Sequence, residues 1–168
     1  MSLQSWITAL VCTAMLSGTA QPVAAQSLLQ YRDWQLVRGP ETCRIVSVLA
    51  SQASGAILLE ATLLPAPPDP DALRIALRVP VGADLASGIA LRHAGAGREA
   101  IGLDWLSCDR EMCTAGGELS AQALGRLRRG TSVFVGFRPM PGARPVNLEL
   151  SLMGFTAAYR ALASCVPG

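Results

Sequence analysis

No lysine occurs anywhere in the 168 residues, so all 14 basic side chains are arginine, and against 12 acidic ones they leave a formal net charge of only +2. A chain this close to neutrality lacks the net basic face that a nucleic-acid partner requires. Histidine is nearly absent too, with His93 standing alone. One imidazole cannot complete a Cys/His zinc site when the cysteines serve elsewhere. As a catalytic base it would need a nucleophile and an orienting acid, and neither is placed beside it. No glycine-rich phosphate loop, serine nucleophile elbow or metal-binding run is present. These gaps argue against an enzyme and give no reason to expect a cofactor or a metal.

Long apolar runs are missing as well. The segment Trp6–Leu16 is eleven residues long, where a bilayer span needs about 20. Followed by small and polar residues up to Val23-Ala24-Ala25, it reads as a secretory signal peptide over residues 1–25, cut between Ala25 and Gln26. Cys12 lies inside the apolar run and leaves with it. Removing 25 of the 168 residues leaves 143 for a single domain, residues 26–168, long enough to bury a core and without a transmembrane anchor.

What is present is an even set of cysteines, Cys43, Cys108, Cys113 and Cys165. In an exported chain this is a disulfide framework, with three possible pairings. The pairing adopted is Cys108–Cys113, which closes a tight strand-to-strand turn, with Cys43–Cys165, which ties the tail to the start of the domain. A C-x4-C spacing in a strand context is a structural staple rather than a redox pair. Asp104, Asp109 and Glu111 cluster around that turn, and the two that flank it read as solvated carboxylates.

Apolar and polar residues alternate with a period of two over Leu73–Val79 and Val146–Leu152, the mark of strands with one face on a core. Segments 34–37, 43–50, 57–62, 88–93, 98–106, 112–116 and 132–138 complete eight or nine short strands, the pattern of a sandwich. Pro65-Ala66-Pro67-Pro68-Asp69-Pro70 reads as an extended surface connection. One segment changes period: Leu119, Ala123, Leu124 and Leu127 share a helical face, with Ser120 as N-cap and Gly130 past the end. Arg126, Arg128 and Arg129 fall in its last turn, where they complement the helix dipole or offer a cluster for phosphate or an anionic headgroup.

In order, a Trp-led first strand, Val79-Pro80-Val81-Gly82 with Gly88 following, Cys108-x4-Cys113, Leu124-x-x-Leu127-x-x-Gly130 and Gly154-Phe155-Thr156-Ala157-Ala158-Tyr159 occupy nearly all of the mature chain. This resembles the invasion-associated locus B protein family of proteobacteria. The resemblance implies an all-β, immunoglobulin-like sandwich in the periplasm or cell envelope, or secreted, stapled by disulfides, with one short helix and no agreed biochemical activity. It also implies that Cys108 and Cys113 match the family's hairpin pair. The family's second cysteine after the Trp is replaced near Arg38, which leaves Cys165 as the substitute partner of Cys43.

The function expected is non-enzymatic binding of a protein or other envelope component, in a virulence-associated setting. The alternatives are a periplasmic assembly factor or chaperone that offers a strand edge to clients, and a hydrolase using His93 with a carboxylate. Phe155 and Tyr159 form a possible interface pair; alternatively Phe155 plugs the end of the sandwich.

Overall fold

The computed structural model describes residues 28–66, 69–93 and 99–165, the side chains of 69–71 excepted. The expected cleavage site at Ala25 and Gln26 therefore lies outside the described residues. Ten strands form one continuous antiparallel order, β1-β2-β3-β4-β5-β8-β7-β6-β9-β10. They are β1 (Leu28–Tyr31), β2 (Trp34–Arg38), β3 (Cys43–Ala50), β4 (Ile57–Ala66), β5 (Asp69–Pro80), β6 (Ile89–His93), β7 (Ile101–Cys108), β8 (Met112–Leu119), β9 (Ser132–Phe137) and β10 (Val146–Ser151). Helix α1 (Ala121–Arg129) follows β8, and α2 (Phe155–Ala163) follows β10.

The order folds into two layers because β7 belongs to both. Its first half pairs with β6, Leu103 opposite Ile89, and its second half pairs with β8, Asp104 opposite Gly116. A register irregularity between Trp105 and Ser107 lies just past the switch, the kind of bulge that lets a strand turn a corner between sheets. Alternation then does the rest. Ile45, Leu63, Ile75, Leu77 and Ala115 of one layer and Ile89, Leu91, Val133, Val135 and Leu150 of the other join a single buried cluster, while Arg74, Glu118, Asp104 and Glu149 take the outward positions.

Two expectations are corrected. The proline-rich stretch is not a connection over its whole length: β4 runs on to Ala66 and β5 begins at Asp69, so Pro65, Ala66, Asp69 and Pro70 belong to the strands, with Ala66 paired to Asp69. The ladder shifts register between Pro65 and Ala66, consistent with proline's lack of a donor. And the described residues form two α-helices rather than one. The sandwich and α1 are as expected, with the Ser120 hydroxyl accepting from Ala123 N at 3.2 Å and Leu124 and Leu127 facing inward.

Candidate functional site

The two ends of β8 lead to different constructions. Beyond its first residue, Cys113 is bonded to Cys108 directly across the hairpin. Asp109 organises the intervening turn: its carboxylate accepts from Glu111 N at 2.8 Å and Met112 N at 2.7 Å, and Arg78 Nη2 approaches at 2.9 Å. The Met112 and Glu111 amides, aided by the arginine, hold this carboxyl below its ordinary value. Asp109 is thus a turn-forming acceptor rather than a merely solvated charge.

At the other end, residues that lie far apart in sequence converge around the two helices. Helix α2 packs against β1, β2 and β3, and Cys165, just past its end, is bonded to Cys43 at the start of β3. Phe155 is 1% exposed and meets Trp34 edge-on, ring centroids 5.1 Å apart at 71°, the favoured geometry for a buried aromatic pair. Trp34 Nε1 donates to Ser151 O at 3.0 Å and Asp33 N to Met153 O at 3.2 Å, so the β1–β2 turn is latched to the end of β10. Phe155 therefore plugs the sandwich and cannot present itself to a partner. Tyr159 stacks on its far side at 6.5 Å and is the member of the pair that reaches the surface, where the Arg128 guanidinium lies over its ring at 5.1 Å.

Gly154 makes this arrangement possible. Its φ of +89° is disfavoured for side-chain-bearing residues, and a Cβ there would sit 1.8 Å from Tyr31 O. The chain enters α2 pressed against the β1–β2 turn, and only glycine has room.

His93 lies nearby at the end of β6, buried. A Cβ on Gly130 would lie 3.6 Å from its Nδ1, and its Nε2 has no hydrogen-bond partner among the described residues. Burial, with Arg126 adding and Glu99 opposing, keeps the imidazole below its ordinary value. Glu99 is itself engaged by Arg126 at 2.7 Å. The carboxylate near His93 is thus committed to a cation rather than oriented to serve a base.

Sequence reasoning missed α2, and with it Thr156 and Arg160. The signal was available: Phe155, Ala158, Tyr159 and Leu162 stand at i, i+3, i+4 and i+7, the spacing of one helical face. A shallow groove of about 630 Å³ also lies on the outer face of the second layer, floored by Ala90, Gly102 and Gly136 and flanked by Asp104 and Arg138. Ala90 is paired with both glycines, which leaves that row of the sheet without large side chains.

The fold and its helix-capped end define a class, a disulfide-bonded antiparallel β-sandwich closed at one end by a C-terminal helix. The family model described as Invasion associated locus B (IalB) protein matches residues 34–163, and the chain belongs to that family. It is similar in structure to the crystal structure of invasion associated protein B from Bartonella henselae, with a TM-score of 0.73 at 18% identity over 82% of this chain and 96% of that one. At that identity the likeness is one of fold. Among curated proteins none matches.

Proposed function

We propose that the protein is an exported binding domain of the cell envelope, performing no chemistry of its own, whose partner is a protein or another envelope component. The observation that carries this reading is the pair of disulfides, one local and one between residues 122 apart, a framework that persists only in an oxidising compartment. Membership of a family named for invasion supports an envelope setting. Among the described residues no helix is long and apolar enough to cross a membrane. Glu99, already paired to Arg126 at 2.7 Å, is not free to orient His93 as a base, which supports a non-catalytic role.

The test is expression with the native leader, osmotic-shock fractionation and a non-reducing peptide map. A released chain that starts at Gln26 with Cys43–Cys165 and Cys108–Cys113 joined is the expected result. An uncut chain with free thiols retained in the cytoplasm would sink the proposal. The chaperone alternative has one observation in its favour: terminal strand β1 exposes Leu28 and Leu29, 60% and 42% accessible. Its signature would be suppression of client aggregation that Leu29→Pro removes.

A further inference from the structure

Among the described residues, three arginines at the helical end have no carboxylate partner. The ion pairs among the described residues use Arg74, Arg78 and Arg126. Arg128, Arg129 and Arg160 instead line a cleft of about 290 Å³ between α1 and α2, with Thr156 and Gly125 completing the wall and no acidic residue among them. Three guanidinium groups held around one small concavity repel one another, and an anion that accepts from their planar forks removes that repulsion.

The scaffold holds the two helices in register for this. Thr156 Oγ1 donates to Arg128 O at 2.8 Å, which ties the first turn of α2 to the last turn of α1, and Gly130 N closes that turn by donating to Arg126 O at 2.9 Å. The first turn of α2 brings no acidic side chain. Arg128 is fixed further by its place over Tyr159.

The cleft is not isolated. Gly125 and Arg128 also border a second groove of about 450 Å³, whose wall continues through Ala72, Leu119, Ala121, Leu124 and Tyr159. A basic cleft that opens beside a groove of mixed polar and apolar lining, where Ser120 stands with Ala121 and Tyr159, fits a ligand with a phosphate at one end and a partly apolar body at the other. We propose that Arg128, Arg129 and Arg160 bind a phosphate monoester group, with the Leu119–Leu124–Tyr159 groove receiving the adjoining apolar part of the ligand. The site goes beyond the envelope-binding role above and does not depend on it: its failure would leave the peptide-map result untouched.

The experiment is amide NMR titration of the purified oxidised chain with two probes, inorganic phosphate and monomeric dihexanoyl phosphatidic acid, repeated on the R129Q/R160Q double variant. These residues are exposed, so the variant should keep the wild-type spectrum elsewhere. The expected result is saturable shifts at Gly125 and Thr156 with both probes, and at least tenfold weaker binding by the variant. Tighter binding of the phosphatidic acid, with shifts spreading to Leu119 and Tyr159, identifies a lipid phosphate as the ligand. Equal affinity with shifts confined to the cleft identifies free phosphate and discards the groove's part in the proposal. No saturable shift with either probe, or equal affinity in the double variant, overturns the site altogether.

Discussion

The hairpin end and the helical end of β8 are each closed by a disulfide, yet they are held in opposite ways. At the hairpin end everything is local: Cys108 and Cys113 are five residues apart, and Asp109 bonds amides two and three residues on. At the helical end the connections join distant parts of the chain: Cys43 to Cys165, 122 residues apart, Trp34 to Ser151, and Thr156 to Arg128. A local staple removes little freedom from the unfolded chain, whereas a long-range one restricts most of it. The structure has therefore placed its stronger cross-link at the end that also carries the buried aromatics and the arginine cleft.

Breaking the two bonds in turn measures that asymmetry. In the chain-entropy model Cys43→Ala with Cys165→Ala costs about 5 kcal/mol and Cys108→Ala with Cys113→Ala about 2 kcal/mol. Urea unfolding of the two double variants should rank them in that order, and equal losses would show that the helical end does not depend on its cross-link. Next in size is Gly154→Ala. A methyl group there combines positive φ with overlap of the Tyr31 carbonyl, a loss of about 3 kcal/mol readable as a lowered unfolding midpoint. A loss below about 0.5 kcal/mol, the level of an ordinary surface substitution, would mean that the β1–β2 turn moves freely away from α2.

The smallest effect is in pH. His93 faces Arg126 and Glu99, and its folded value lies below the 6.5 of the free side chain. The unfolded chain thus takes up this proton first, so the contribution is complete above about pH 6.5 and declines as pH falls below it. Melting temperatures between pH 7.5 and 5 should show that decline in the parent and a flatter profile in His93→Gln. Identical profiles would remove His93 as its source. The hairpin end should be silent over the same window, because the lowered carboxyl of Asp109 releases its contribution only below the ordinary carboxylate range.

The same contrast explains how much could be read beforehand. The period-two segments, the Ser120 cap of α1 and the hairpin cysteines all rest on neighbours within a few residues, and they recur in the structure; the family resemblance rests instead on the order of motifs along the whole domain, and the family model matches it. The proline stretch reads as a connection because proline cannot donate to a ladder, yet β4 and β5 accommodate Pro65 and Pro70 beside a register shift. Helix α2 carries its spacing in the sequence as well, over Phe155, Ala158, Tyr159 and Leu162. Phe155 was ambiguous between plug and interface, since a hydrophobic ring has no sequence mark that tells a core position from an exposed one.

By itself, then, the sequence determined the class of fold, through alternation that commits one face of each strand to a core, and the local turn chemistry that ends those strands. Only the tertiary structure decided that β7 would turn the corner between layers, that Gly154 would meet Tyr31, and that Arg160 would stand beside Arg128 and Arg129. Strand alternation is set by backbone geometry residue by residue. Which distant surfaces meet is set by how the whole core packs, and no short window of the chain contains that information.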